Sequence, residues 1–429
     1  MTSPNPLSAD YFHQLSRALV QAGVHQPVLI IDKQRLDENL DHLLSVIQSG
    51  FDYRIVAKSL PSIPLLNYIM EKSGSNRLMS FHLPFIFHVV KHLPNADILL
   101  GKPMTVAAAR QFYQWHQTLD SSHFNPAKQL HWLVDSLERL QQYQALAKEL
   151  NCCLNINLEI DVGLHRGGFT TKPSSQFEQA LQILKNDTRL KLTGLMGYDA
   201  HVSKIPKFIG GSEKAFRCAM DSYKACLQTV IQVFDQSYCD SLILNAGGSS
   251  TYPLYDKSDS QSNFINEIAT ASALVKPTDF DVHTLEQHKP ACFIAAPVLK
   301  MVNKPEIPML KGLSKFLHIV GLLPKQACFI YGGNWLASPC FPENTKRSSI
   351  LGISSNQEMY TITTDSQIKM DDFIFFRPNQ SEAVFLQFGQ IAVYDEGSFI
   401  DWWPVFHSEP IPTSQENNKM KKNNYEEVS

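Results

Sequence analysis

Four short stretches of this 429-residue chain carry residue types that can do chemistry. The first is Tyr53-Arg54-Ile55-Val56-Ala57-Lys58-Ser59-Leu60-Pro61-Ser62, an apolar, β-rich run that ends in one lysine and breaks at a proline. A lysine whose stem leaves the end of a buried strand is poorly hydrated, and such an amine is nucleophilic enough to form a Schiff base with an aldehyde. Alone, a strand-end lysine is more often a surface residue lying along apolar neighbours. Its companions are what favour chemistry.

The second stretch is Glu159-Ile160-Asp161-Val162-Gly163-Leu164-His165-Arg166-Gly167-Gly168. His165-Arg166 reads either as a surface pair or as an arginine that binds a phenolate or carboxylate in fixed geometry, with Glu159 and Asp161 orienting it. The third is Gly197-Tyr198-Asp199-Ala200-His201, where Tyr198 and His201 fall on a loop lip. A histidine there suits either proton transfer or a structural hydrogen bond. The fourth, Asn245-Ala246-Gly247-Gly248-Ser249-Ser250-Thr251-Tyr252, looks like a phosphate cradle. Its glycines let backbone N–H groups converge on an anion, and its hydroxyls offer further donors. A lysine amine, a phosphate cradle and an arginine together suggest an aldehyde carrying a phosphate, which points to pyridoxal 5'-phosphate.

These stretches need a scaffold that brings them to one rim. Strand-like runs at 53–58, 76–80, 96–101, 130–135, 154–161, 190–198, 241–247 and 266–275 alternate with helix-length segments at 62–73, 83–93, 104–118, 136–150, 175–186, 212–236 and near 254–264. Eight such alternations predict an α/β fold closed as a (β/α)8 TIM-type barrel, whose chemistry gathers at the C-terminal ends of the strands. Lys58 ends the first of these, and the Gly247-Gly248 turn follows the seventh, the usual side for phosphate in this fold. An amphipathic helix at 11–24, a strand at 27–32 and a helix from Arg35 to Gln48 precede the barrel. After Pro277 come strand-like runs at 291–302, 326–332, 357–364, 371–376, 390–395 and 398–403 with no helices between them, and Glu396-Gly397 signals a hairpin. That pattern predicts an all-β domain, followed by a polar, disordered tail over 408–429.

Composition narrows the partners. The chain is 44% hydrophobic with a net charge of -3, and its basic residues form no stripe, so neither nucleic acid nor an anionic membrane is an expected partner. No apolar run reaches the ~20 residues of a membrane span, and Met1 to Asp10 lacks the pattern of a signal peptide. The eight cysteines show no CxxC spacing and read as reduced core residues of a cytoplasmic protein, with Cys340 in a loop as the one to watch.

The order of segments resembles the fold-type III pyridoxal-phosphate enzymes, the alanine racemase superfamily. Within it, the chain looks most like the branch of D-threonine aldolase and eukaryotic-type D-serine dehydratase. The resemblance runs from Pro27 to Phe406 and is carried by Pro27-Val28-Leu29-Ile30-Ile31-Asp32 with Leu36 and Asn39, by Ala57-Lys58, by Asp161-Val162-Gly163-Leu164-His165-Arg166-Gly167 and by Gly247-Gly248-Ser249-Ser250-Thr251-Tyr252. It implies a barrel over 33–275, a discontinuous β domain built from 1–32 and 276–407, and a homodimer with active sites near the subunit boundary. In that branch a metal is held by a histidine followed two positions later by cysteine or aspartate. Here Pro378-Asn379-Gln380-Ser381-Glu382 stands in that place. Gln380 and Glu382 offer oxygen ligands, which suit Mg²⁺ or Mn²⁺ rather than zinc, or no metal at all. Ser59-Leu60-Pro61-Ser62 also lacks the histidine usual after the lysine.

The resemblance implies a lyase acting on a D-configured β-hydroxy amino acid. Lys58 would form the Schiff base and Arg166 hold the cofactor's phenolate. The Gly248-Ser249-Ser250-Thr251 backbone would hold the phosphate, and Tyr198 or His201 would contact ring or substrate. Two alternatives stay open: a racemase or epimerase, which needs a second base from the partner's β domain, and a pyridoxal-phosphate carrier without turnover. Tyr331-Gly332-Gly333-Asn334-Trp335 precedes a proline-bounded loop able to reach a partner's site.

Overall fold

A computed structural model of the chain describes residues 7–119, 123–171, 176–320 and 323–407; the tail at 408–429 lies outside them. The first strand is β1 (Val28–Asp32). Eight strands then close into a parallel barrel in chain order: β2 (Asp52–Val56), β3 (Arg77–Ser80), β4 (Asp97–Leu100), β5 (Leu130–Val134), β6 (Leu154–Glu159), β7 (Leu190–Gly197), β8 (Ile243–Ala246) and β9 (Glu267–Thr270). β9 pairs with both β8 and β2, which closes the ring.

Helices make the crossovers that parallel neighbours require. Leu137–Leu150 is representative. Ser136 caps it by accepting from the Arg139 N–H, Asn151 ends it in the left-handed region, and Leu140, Tyr143, Leu146 and Ala147 bury one stripe. The long helix Gly211–Phe234 buries Phe216, Ala219, Met220, Tyr223, Cys226, Leu227 and Val230 at the same spacing, and the Tyr223 hydroxyl donates to the Leu195 carbonyl at 2.9 Å.

Two sequence expectations change between β8 and the barrel's end. No α-helix forms over 254–264; a 3₁₀ turn, Tyr252–Leu254, is followed by turns. Asp256 accepts from the Ser258 N–H and Asp259 from the Gln261 N–H, and such side-chain bonds to nearby backbone favour turns over helix. β9 stops at Thr270, and Ser272–Val275 is one helical turn, closed by the Lys276 N–H donating to the Ser272 carbonyl at 2.8 Å. A short apolar run such as 271–275 fits a strand or a buried helix equally well by pattern.

A charged network fills one layer inside the barrel. Arg54, fully buried on β2, binds Glu267 of β9 through Nε–Oε1 at 2.5 Å and reaches Asp97 of β4 at 2.7 Å. Arg77 on β3 and the Asn245 amide on β8 also reach Glu267, at 2.9 and 2.8 Å. His131 on β5 pairs with Asp97 at 3.0 Å and with the Thr193 hydroxyl at 2.9 Å. Six of the eight strands contribute ion-pair or amide partners, and β7 adds Thr193, so the layer ties the ring together.

The second region contains β1 with β10 (Cys292–Asn303), β11 (Gln326–Tyr331), β12 (Ala337–Phe341), β13 (Lys346–Arg347), β14 (Gln357–Ile362), β15 (Phe373–Pro378), β16 (Gln390–Asp395) and β17 (Ser398–Pro404). These form one sheet, ordered β13-β14-β11-β10-β1-β16-β17, with β15 pairing β10 and β12. β1 runs antiparallel to β10 and parallel to β16. The N-terminal helix Ala9–Gln21 lays Phe12, Leu15, Ala18 and Leu19 on this sheet, with Phe12 4.9 Å from Phe341 and from Phe375 between ring centroids. β16 and β17 form the expected hairpin, with Glu396 and Gly397 both at positive φ as the primed turns require.

Here too the sequence reading needs correction. Helices Lys311–Ile319 and Ser381–Phe385 interrupt the run of strands. Cys340 lies in β12 and not in a loop, and burial pushes its thiol up to about 12. All eight cysteines are free thiols. No helix among the described residues is long and apolar enough to cross a membrane.

The described residues divide into two compact units, one within 42–271 with Phe406 and His407, the other within 7–41 and 272–405.

Candidate active site

The barrel places the four stretches at the same end of its strands. Lys58 follows β2 in a 3₁₀ turn, Ala57–Ser59, closed by the Leu60 N–H donating to the Ala57 carbonyl. Its Nζ lies 4.6 Å from the centroid of Phe81, the residue after β3. Gly101, the residue after β4, makes room for that ring. A Cβ there would fall 2.1 Å from Phe81 Cζ. Sequence reasoning missed Phe81; an aromatic one residue past the neighbouring strand was the available signal.

Asp161 organises the loop after β6. Its Oδ1 accepts from the Gly163 and His165 N–H groups at 2.9 and 3.0 Å, and its Oδ2 lies 2.9 Å from His165 Nδ1. It thus orients His165, where an orienting role toward Arg166 was expected. Burial pushes the Glu159 carboxyl above its ordinary range, and the Arg166 charge pulls it back. Arg166 is exposed, and its Cζ stands 5.3 Å from the Tyr198 ring centroid. Tyr198, after β7, lies in turn against the phosphate-type loop, since a Cβ on Gly248 would come within 3.0 Å of its ring. Arg166, Tyr198 and Gly248 therefore form a continuous line across three neighbouring strand ends.

The loop after β8 turns at Gly247, whose φ of +80° favours glycine. The N–H groups of Thr251 and Tyr252 both donate to the Gly248 carbonyl, at 3.0 and 2.9 Å. The hydroxyls serve mainly to build the loop. Thr251 Oγ1 donates to Asp199 Oδ1 at 2.7 Å, Ser249 Oγ pairs with Thr270 Oγ1 at 2.8 Å, and Ser203 donates to Ser250 at 2.9 Å. Fully buried Asp199 also accepts from the Tyr255 hydroxyl at 2.7 Å. Burial raises the Asp199 carboxyl, against the lowering effect of those two hydrogen bonds. Asp199 and Tyr255 support this loop and were passed over by sequence reasoning, although Asp199 sits inside a stretch it singled out.

Removing the Asp199 carboxylate leaves two buried hydroxyls without their acceptor, each a loss of about 1–3 kcal/mol. Asp199→Ala is therefore expected to weaken binding of a phosphate-bearing ligand at least tenfold, measured by titration; unchanged affinity would show that Asp199 does not shape the loop.

His201 lies on the same rim, with Nε2 3.2 Å from where a Cβ on Gly163 would stand. Burial pushes its imidazole below the ordinary value, with the charges of Asp199 and Asp161 opposing. Its Nδ1 is buried and has no hydrogen-bond partner among the described residues.

Gln380 and Glu382 belong to the β unit. Gln380 precedes the helix Ser381–Phe385 and its amide donates to Asp279 Oδ2 at 2.9 Å; Glu382 lies in the first turn of that helix. No group of three or more His, Cys, Asp or Glu side chains able to hold a metal occurs among the described residues. Tyr331 ends β11 half-exposed, and Gly332, Gly333 and Asn334 all take positive φ. Buried Glu358 fixes that turn by accepting from the Asn334 N–H at 3.0 Å and from the Tyr360 hydroxyl at 2.7 Å.

The family model for the alanine racemase N-terminal domain matches residues 31–265. No curated protein matches the chain. Among solved structures, D-threonine aldolase from Filomicrobium marinum is similar at 13% identity and a TM-score of 0.66, over 89% of this chain and 97% of that one. D-threo-3-hydroxyaspartate dehydratase from Delftia sp. HT23 is similar at 14% identity and 0.65, over 89% and 98%. Alanine racemase from Clostridium difficile 630, in complex with cycloserine, is similar at 14% and 0.61, over 88% and 98%. At such identities the likeness is one of fold.

Proposed function

Because the chain belongs to the alanine racemase N-terminal domain family, we propose that it is a pyridoxal-phosphate-dependent lyase acting on a D-configured β-hydroxy amino acid. The observation that carries this reading is the placement of Lys58 and the Gly247–Thr251 turn on β2 and β8 of one closed barrel, with only β9 between those strands. Their residue types fit the cofactor. The amine suits its aldehyde, and the turn, with no Cβ at Gly248 and positive φ at Gly247, suits its phosphate. Arg166 and Tyr198 would flank its ring.

When bound, pyridoxal phosphate supplies an electron sink for a bond broken at the substrate α-carbon. The chain's own residues supply the rest. Lys58 would hold the aldehyde carbon, and its freed Nζ would carry a proton at the α-carbon. His201, kept neutral by burial, would take the proton of the β-hydroxyl. The fold likeness to an aldolase and a dehydratase supports a β-hydroxy substrate. Gln380 and Glu382 present one amide and one carboxylate, with the amide nitrogen engaged by Asp279, so they do not by themselves make a metal cage. The same reading takes the active form as a cytoplasmic homodimer.

The test offers D-threonine, D-serine and D-alanine in turn to the cofactor-loaded protein, with and without EDTA. Release of aldehyde or keto acid from a D-β-hydroxy substrate supports the lyase. Exchange of the α-hydrogen of D-alanine alone would favour the racemase, and neither would favour the carrier. Loss of activity in EDTA would assign a metal.

A pH prediction follows from His201. Its folded value lies below the ordinary ~6.5, so the imidazole stays neutral down through that pH and protonates only further into acid. The acid limb of kcat/KM is expected below pH ~6.5 and is lost in His201→Asn; a limb that persists in the variant would assign the proton transfer elsewhere.

A further inference from the structure

Phe406 and His407, the last described residues, group with the barrel. The Phe406 N–H donates to the Pro61 carbonyl at 2.7 Å. Pro61 has no N–H of its own, so this carbonyl is its sole main-chain hydrogen-bonding group. The Phe406 ring packs between Phe85, 4.8 Å away, and His88, 5.2 Å away with planes only 7° apart. His88 Nε2 then donates to the His407 carbonyl at 2.7 Å; because a carbonyl only accepts, that nitrogen carries the hydrogen. Phe406, Phe85 and His88 are all buried.

The two places touched are the two that flank Lys58. Pro61 lies three residues beyond it, in a turn that contains the local bonds Leu60 N–H to Ala57 and Ser62 N–H to Leu60. Phe85 and His88 stand on the helix Leu83–His92, which begins two residues after Phe81, the ring against Lys58 Nζ. A bond from a distant segment restrains a short turn beyond what its own local bonds do.

We propose that Phe406 and His407 form a C-terminal strap that positions Lys58, by fixing the Lys58–Ser62 turn against the helix that follows Phe81. This rests on the reading of Lys58 as the cofactor lysine. Phe406 and His88 are positioning residues; neither touches the reacting atoms.

Hydrogen exchange of full-length apo protein tests the strap, and borohydride trapping of pyridoxal phosphate on Lys58 tests its purpose. Phe406→Ala is expected to raise exchange in the peptide spanning 57–66 at least tenfold, with peptides from β5 and β6 unchanged, and to slow trapping several-fold. His88→Leu, a second variant should Phe406→Ala fold poorly, should do the same. Phe406→Tyr and His88→Gln, which keep the ring and the donor respectively, should restore both readouts. Exchange at 57–66 equal to wild type in Phe406→Ala and His88→Leu would overturn the strap. Faster exchange with unaltered trapping would overturn its positioning of Lys58. If the wild-type protein itself traps nothing on Lys58, the cofactor reading fails, and with it the strap's purpose, while the exchange arm still reports whether the strap exists.

Discussion

Lys58→Ala is expected to eliminate covalent attachment of pyridoxal phosphate and to lower turnover by about 10²–10⁴-fold, the scale of one lost proton-transfer group, even with cofactor in excess. The loss should be chemical, with the fold retained. Lys58 follows its strand in a turn closed by backbone bonds, and the half-buried Phe81 is one of its side-chain neighbours. Lys58→Arg keeps the positive charge over that ring but presents a guanidinium, which does not form the Schiff base. It should therefore be as inactive as the alanine variant. Turnover in saturating cofactor, with circular dichroism as the control for folding, checks this. Activity within twofold of wild type in either variant would remove Lys58 from the mechanism.

The largest effect on stability is expected from Arg54→Met. Arg54 and Glu267 are both fully buried, and Arg54 also engages Asp97 and the carbonyls of Leu78 and Asp97. Removing the guanidinium leaves a buried carboxylate that retains, among the described residues, Arg77 and Asn245. Breaking a buried pair on one side destabilises by about 3–5 kcal/mol, whereas replacing both charges by apolar groups of similar volume is often near neutral. Arg54→Met should thus be far less stable than the double variant Arg54→Met with Glu267→Leu, as read by urea unfolding. Equal stability of the two would show that the pair is not coupled. The network also carries a pH signature. Burial raises the Asp97 carboxyl, but His131 and Arg54 outweigh it and hold it well below the ordinary range; burial also raises Glu267, and Arg54 and Arg77 lower it on balance. Both folded values are depressed, so this stability is present above the ordinary carboxylate pKa of about 4 and is lost as pH falls toward the depressed values.

The barrel was legible in the sequence because its strands are short apolar runs separated by helices with regular buried stripes, and because parallel strands demand crossovers. The candidate site residues stood out by their place after a strand: Lys58, Arg166, Tyr198, His201 and the Gly247–Thr251 turn lie in the segments that follow β2, β6, β7 and β8. What supports them laterally did not stand out. Phe81 reaches Lys58 from the next strand, and Asp199 holds Thr251 from the strand before, contacts set by pairing order and invisible to local pattern. Arg54 and Glu267 look like isolated charges in apolar runs until the ring closes between β2 and β9. Helix Lys311–Ile319 did leave a signal, since Leu310, Leu313, Phe316 and Val320 recur at helical spacing, yet the strand-like runs on both sides read as an uninterrupted β domain. Likewise, Gln380 and Glu382 occupy a helix start that five residues of sequence do not announce.

Whether Lys58 holds the cofactor is read by loading the wild-type protein with pyridoxal phosphate, reducing it with borohydride and mapping the modified peptide by mass spectrometry. One pyridoxyl group per chain, on Lys58, is the expected result. Modification of another lysine, or none, would contradict it.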